Sequence, residues 1–296
     1  MSNATLNGLL PQNGAQLSDT PSNNNENIPF YLMYNTASEL EGRICLLHSS
    51  ENSFVESISK FSRFSWPNKT ISTRNKVIAL NNFKHQFEIF HLESRKITKG
   101  PEPPEWRLYA CIAHFNDKLY YFGGEDPNTW ELTNQVDVLD NGTWRLGPRF
   151  PYSINNAQST VCNGSLYVFD DWHSQKILRL SDDEQEWIEM GKIEEKQTDV
   201  AIATLNGKIY ISGGSDSSDV CNSCLCFDPQ ASPGDRISRI SGLNCARYGH
   251  SLVAANGKLY AIGGYEQWIC TKYCMLVEEY DPELDIWNVV DQIDDL

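Results

Sequence analysis

Cysteine and histidine are the residues most able to do chemistry here, and the chain of 296 residues holds nine of the first and six of the second. Two thiol groupings have spacings that could hold zinc: Cys221-x-x-Cys224-x-Cys226 and Cys270-x-x-x-Cys274. Zinc needs four ligands converging in a tetrahedron, and sequence register argues against that. Aligned on Tyr280 and Phe227, Cys221 and Cys274 fall at one repeat position, while Cys224 and Cys226 share a strand at two-residue spacing. The reading is thiols of the core or surface, with no metal and no cofactor. A cross-link or zinc shared across a repeat boundary is the alternative for Cys221, Cys224, Cys226, Cys270 and Cys274. The histidines show no metal-pair spacing. His250 follows Arg247-Tyr248-Gly249 and reads as structural, because catalysis would need a carboxylate or nucleophile converging on it.

A second group of residues is suited to recognition. Trp130, Trp172 with His173, and Tyr265 with Trp268 stand in polar segments between apolar runs. Aromatics on loop tips are what binding hot spots are built from. Arg107 with Tyr109, and Arg247 with Tyr248, precede apolar runs at matching positions; the corresponding segments elsewhere hold Ile154-Asn155-Asn156 and Gln197-Thr198-Asp199.

These groups are positioned by a repeat. Asn256-Gly257-Lys258-Leu259-Tyr260-Ala261-Ile262-Gly263-Gly264 recurs as 206–214 and 116–124, and as 163–171 with both glycines replaced. The tyrosines at 120, 167, 210 and 260 are 47, 43 and 50 residues apart, the period of propeller blades. Asn-Gly allows φ > 0 in a tight hairpin, the apolar run reads as a buried strand, and the glycine pair ends it against a neighbouring backbone. Glu279-Tyr280-Asp281-Pro282 then Trp287, with counterparts at Phe227-Asp228-Pro229, Leu139-Asp140 then Trp144, and Leu180-Ser181 then Trp187, supplies a third strand, a turn and a Trp-led fourth strand.

At these residues the chain resembles the kelch-repeat family, over roughly its C-terminal two thirds from about Arg107. It is most similar to the kelch domain of BTB-kelch ubiquitin-ligase substrate adaptors. The resemblance implies an all-β, six-bladed kelch-type β-propeller of four-stranded antiparallel blades. It also implies a non-enzymatic module that binds a partner protein or peptide on its loop face. In such adaptors arginines at the positions of Arg107 and Arg247 hold acidic degrons. Only two blades keep one here, so a mixed aromatic and polar pocket is expected, lined by Arg107, Tyr109, Trp130, Asn155, Trp172, His173, Arg247, Tyr248, Tyr265 and Trp268. A cullin-RING ligase would be met through a BTB region absent from this chain. The alternatives are a stand-alone kelch scaffold, an actin binder, or a sugar-acid epimerase-like enzyme.

Residues 1–27 are dominated by Asn, Ser, Gly, Gln and Pro and read as a disordered lead-in or a segment added in cloning. Residues 28–296 read as the propeller, with divergent blades at 28–104 and clear repeats at 105–296. Six second strands are expected, starting near 31, 76, 118, 165, 208 and 258, against five inner strands, near 71, 109, 157, 199 and 249. The sixth must come from before Ile28 or from the tail Val290 to Leu296, because an open edge is a liability. The formal net charge of −15 weighs against nucleic-acid binding, which relies on clustered Lys and Arg. No run of about 20 apolar residues suggests a membrane span. An odd cysteine count with no signal peptide points to the cytoplasm or nucleus.

Overall fold

The computed structural model describes residues 30–35, 41–47, 56–62, 68–73, 75–170, 172–216, 218–267 and 272–292. A three-stranded sheet comes first, with β1 (Phe30–Asn35), β2 (Glu41–Leu47) and β3 (Glu56–Ser62) paired antiparallel in chain order. Five four-stranded antiparallel blades follow. The first is β4 (Asn68–Ser72), β5 (Lys76–Asn81), β6 (Gln86–His91) and β7 (Lys96–Lys99). The second is β8 (Cys111–Phe115), β9 (Lys118–Phe122), β10 (Val136–Asp140) and β11 (Thr143–Leu146). The third is β12 (Gln158–Cys162), β13 (Ser165–Phe169), β14 (Lys176–Leu180) and β15 (Trp187–Lys192). The fourth is β16 (Ala201–Leu205), β17 (Lys208–Ser212), β18 (Cys224–Phe227) and β19 (Ile237–Ile240). The fifth is β20 (Ser251–Ala255), β21 (Lys258–Ile262), β22 (Leu276–Asp281) and β23 (Ile286–Gln292).

The expectation of six four-stranded blades is corrected to five. The five inner strands lie within two or three residues of their expected places. Among the described residues the segment around Tyr31 is not a second strand: β1 is an edge of the three-stranded sheet, paired with β2. Of the tail, residues 290–292 belong to β23, the outer strand of the fifth blade, and residues 293–296 lie outside the described residues. Residues 1–27 lie outside the described residues. Among the described residues no helix is long and apolar enough to cross a membrane.

The second, third and fourth blades are apolar on both faces because the period-2 alternation of their central strands sends side chains to both neighbours. On β9, Tyr120 and Phe122 pack toward the third blade with Val161, Leu166, Val168 and Trp187. Leu119 and Tyr121 pack toward the first with Ile71, Ile78, Leu80 and Phe87. Equivalent layers join the third to the fourth blade and the fourth to the fifth. The inner strands β4, β8, β12, β16 and β20 stand side by side in that order, and across two of them Thr160 and Thr204 Oγ1 atoms meet at 3.0 Å.

The turn chemistry follows the sequence. Both residues of Asn116-Asp117, Asn163-Gly164, Asn206-Gly207 and Asn256-Gly257 have positive φ, as a two-residue hairpin of the primed type requires. The tryptophans bridge consecutive blades, the Trp144, Trp187 and Trp287 indoles donating to the carbonyls of Pro101, Pro148 and Ser241, each at 2.9 Å.

Candidate functional site

Two sets of segments meet at one rim: the loops leaving the second strands and the lead-ins to the inner strands. The glycine pairs bring them together. A Cβ on Gly123 would sit 2.2 Å from the Ile154 carbonyl of the next blade, and one on Gly213 2.3 Å from that of Arg247. Without side chains the backbones close up, and Gly124 and Gly214 donate to those same carbonyls at 2.7 and 2.8 Å. After each pair the chain adds one rung above the sheet: Glu125 bridges Leu108 and Leu132, Ser215 bridges Thr198 and Val220, and Tyr265 bridges Tyr248 and Tyr273.

The third blade has Asp170 in place of the first glycine. Its buried carboxylate accepts from the backbone of His173 at 3.2 Å, from that of Ser174 at 3.0 Å and from the Ser174 hydroxyl at 2.7 Å. One carboxylate thus shapes the short loop that the glycines leave open elsewhere.

The floor of the site is made by the lead-ins. Tyr109, Asn156, Asp199 and Gly249 stand two residues before β8, β12, β16 and β20, all with φ between 52° and 59°. Their backbones clasp across blade boundaries, Asn156 N to Tyr109 O at 2.8 Å and Gly249 N to Asp199 O at 2.9 Å. The side chains form a chain of contacts. Lys69 Nζ donates to Asn156 Oδ1 at 3.0 Å, and Asn156 Nδ2 to Asp199 Oδ1 at 3.1 Å. Burial pushes the Asp199 carboxyl up, opposed by the Lys69 charge and by hydrogen bonds from Asn156 and Trp172. Alongside, Asn155 Nδ2 donates to Glu125 Oε1 at 2.6 Å, and its Oδ1 lies 2.8 Å from His173 Nε2. With that oxygen as acceptor, Nε2 carries the proton.

Above this floor stand two exposed indoles. Trp130 is 63% and Trp172 40% exposed. The loop under Trp130 is stiff, because Asp126 Oδ1 accepts from the backbones of Asn128 at 2.7 Å and Thr129 at 3.0 Å, and Asp126 O from that of Trp130 at 2.9 Å. Trp130 is held at φ 61°, an unfavourable conformation for a bulky residue, and such strain gathers at functional positions. Leu132 extends the apolar patch at 38% exposed.

The other expected site residues are placed differently. Arg107 is buried in the second blade, 2.9 Å from Asp137 and 4.6 Å over the Tyr121 ring. Arg247 is fully buried in the fifth, its Nη2 donating to Glu278 Oε1 at 2.6 Å and its Nη1 to Leu276 O at 2.8 Å. Both guanidinium groups are buried and paired with an acid of their own blade, whereas the sequence reading has them as ligand contacts. Tyr248 and Tyr265 are likewise buried, stacked 5.5 Å apart with Tyr273 and Val220 beneath the rim. Tyr109 is half-buried at the floor. Trp268 lies outside the described residues.

The sequence carries a signal for the buried arginines. Asp137 faces Tyr121 and Glu278 faces Ala261, each across from the fourth residue of a second strand. In the third and fourth blades that place holds Leu178 and Leu225, and the lead-in holds Ile154 and Gln197 where the others have arginine. Acid and arginine come and go together along the chain, the mark of a buried pair. Lys69, Asn156, Asp199 and Glu125 were also missed as site residues, since only register around the axis brings them together.

The cysteines separate as well. Cys224 and Cys226 are buried on β18. Cys221 and Cys274 hold equivalent places, their amides donating to Gly214 O at 2.8 Å and Gly264 O at 2.9 Å. The thiol neighbour of Cys274 is Cys245 of its own blade, and Cys270 lies outside the described residues. His250 is buried, with Nε2 2.8 Å from Ser212 Oγ, and burial first, then the Arg247 charge, hold its pKa well below the usual histidine value.

Comparison with known proteins agrees with this architecture. A family model described as Kelch motif matches residues 198–232 and 246–291, in the fourth and fifth blades. Kelch-like protein 15 of Danio rerio is 28% identical over 219 residues, covering 65% of this chain and 36% of that protein. Kelch repeat and BTB domain-containing protein 1 of Cowpox virus (strain GRI-90 / Grishak) is 22% identical over 227 residues, covering 74% of this chain and 38% of that protein. The match therefore spans little more than a third of these relatives. The solved structure of YjhT superposes with a TM-score of 0.61 at 14% identity, over 74% of this chain and 81% of that one, which speaks for the fold.

Proposed function

From the premise that this chain is a kelch-repeat β-propeller, we propose that its rim binds a partner protein or peptide and catalyses no reaction. The observation that carries this is the pair of exposed indoles, Trp130 and Trp172, held by rigid Asx-type loops above a polar floor of Lys69, Asn155, Asn156 and Asp199. Rigid aromatics give large contact area at low entropic cost, and the satisfied floor supplies orientation. Glu125, Asp126 and Glu131 flank Trp130 in sequence and favour a ligand that is apolar or basic. The reading as an enzyme acting on sugar acids has less support, because Arg107 and Arg247, its natural anion holders, are spent on Asp137 and Glu278.

The finer reading is that the module is the substrate-recognition part of a cullin-RING ligase adaptor. It rests on the similarity to kelch-like proteins and to proteins named for kelch repeats and a BTB domain. The test is affinity capture from lysate with wild-type, Trp130→Ala and Trp172→Ala baits, read by mass spectrometry. Partners held by wild type and lost with either variant support the rim as the site. Capture unchanged by both variants refutes it. Cullin recovered only with a longer chain carrying a BTB domain supports the adaptor reading, and partners without any cullin from that chain refute it.

A further inference from the structure

Three segments of the fifth blade converge beside the buried Arg247. They are the lead-in carrying Cys245, the turn after the glycine pair carrying Glu266, and the residues before β22 carrying Cys274. The Cys245 and Cys274 Sγ atoms are 3.2 Å apart. Both sulfurs and a Glu266 carboxylate oxygen lie within 4.8 Å of one another. Backbone bonds place two of the three, with Glu266 N donating to Lys272 O at 2.8 Å and Cys274 N to Gly264 O at 2.9 Å, while Cys245 N donates to the buried Glu278 Oε1 at 3.0 Å.

We infer that Cys245, Cys274 and Glu266 bind a zinc ion, with water as the fourth ligand. Two thiols and a carboxylate are a donor set zinc accepts, and its Zn–S bonds of about 2.3 Å would set the sulfurs roughly 3.8 Å apart. That asks the pair to open by only about 0.6 Å. A disulfide would need the sulfurs to close by more than about 1 Å to reach about 2.05 Å. As the metal enters, both thiols release their protons to solvent, leaving two thiolates and a carboxylate around Zn²⁺ with one net negative charge. Lys272, paired to Glu266, offsets that charge. The metal would staple the residues next to Tyr265 and Tyr273 to the lead-in bearing Tyr248, so it would fix this part of the rim.

The test uses reduced protein stripped of metal by a chelator and titrated with Co²⁺ and then Zn²⁺. Expected is uptake of one metal per chain, with a thiolate-to-cobalt charge-transfer band that zinc displaces. Cys274→Ser and Cys245→Ser should abolish the band, and Glu266→Gln should weaken zinc at least about 10-fold. Cys221→Ser, outside the cluster, should bind as wild type. In case the serine variants fold poorly, zinc should also protect the half-buried Cys245, but not the half-buried Cys221, of the wild-type chain from alkylation. No saturable uptake by wild type, uptake undiminished in both cluster variants, alkylation unchanged by zinc, or a Cys245–Cys274 disulfide recovered from reduced, metal-exposed protein would each overturn the assignment.

Discussion

Replacing Arg247 by isoleucine isolates what the buried charge pair does. Its guanidinium and the Glu278 carboxylate are both wholly shielded from water and 2.6 Å apart. The variant leaves Glu278 accepting from the backbones of Asn244 at 2.6 Å and Cys245 at 3.0 Å and from Asn244 Nδ2 at 2.9 Å, without a counter-charge. Stranding one member of such a pair costs about 3–5 kcal/mol. Because three donors remain, the lower end applies, and about 3 kcal/mol should lower the melting temperature by roughly 6–12 °C. The third blade shows the repair, for it carries Ile154 and Leu178 at the two equivalent positions. Arg247→Ile combined with Glu278→Leu should therefore recover most of the loss, giving a coupling of at least about 2 kcal/mol in a double-mutant cycle read by thermal and urea denaturation. A single variant melting within about 2 °C of wild type, or a double variant no more stable than the single, would refute the reasoning.

Gly123→Ala should cost more than about 2 kcal/mol, because its Cβ would meet the Ile154 carbonyl at 2.2 Å. Gly142→Ala, also at positive φ but with nothing within 4 Å, should cost about 1 kcal/mol; equal melting temperatures would undo the account of the glycine pairs. Acid should destabilise the fold through His250, whose folded pKa is depressed. Its contribution is complete above the unfolded value of about 6.5 and is lost as pH falls below it, at up to about 1.4 kcal/mol per pH unit. His114, lowered chiefly by burial, adds in the same direction. Melting curves from pH 7.5 to 5.5 check this, and His250→Asn should flatten them. Trp130→Ala should change stability by less than about 0.5 kcal/mol while partner capture falls; a large melting loss would put that ring in the fold.

The hairpins, glycine pairs and tryptophans were legible because each imposes a local rule that recurs: φ > 0 at Asn-Gly, no room for Cβ at Gly123 or Gly213, an indole facing the preceding blade. The first blade was harder to read, since β4 to β7 keep neither glycine pair nor tryptophan and signal only by alternation. The count of four-stranded blades failed at Tyr31, where a strand-like run carries no information about which strand it pairs with. The site failed differently. Arginine at a loop position looks like a ligand contact until its acid is found 30 or 31 residues on, at Asp137 or Glu278. Lys69, Asn156 and Asp199 lie 87 and 43 residues apart, and only closure of the blades into an arc makes them neighbours.

Every four-stranded blade is built from consecutive residues, and among the described residues the large apolar layers join each blade to the next. A ribosome delivering this chain would therefore release finished slabs one at a time, each waiting with a greasy side uncovered until its successor arrives. Order of synthesis and order of stacking coincide, so assembly from β4 to β23 needs no segment to be held in reserve for an earlier partner.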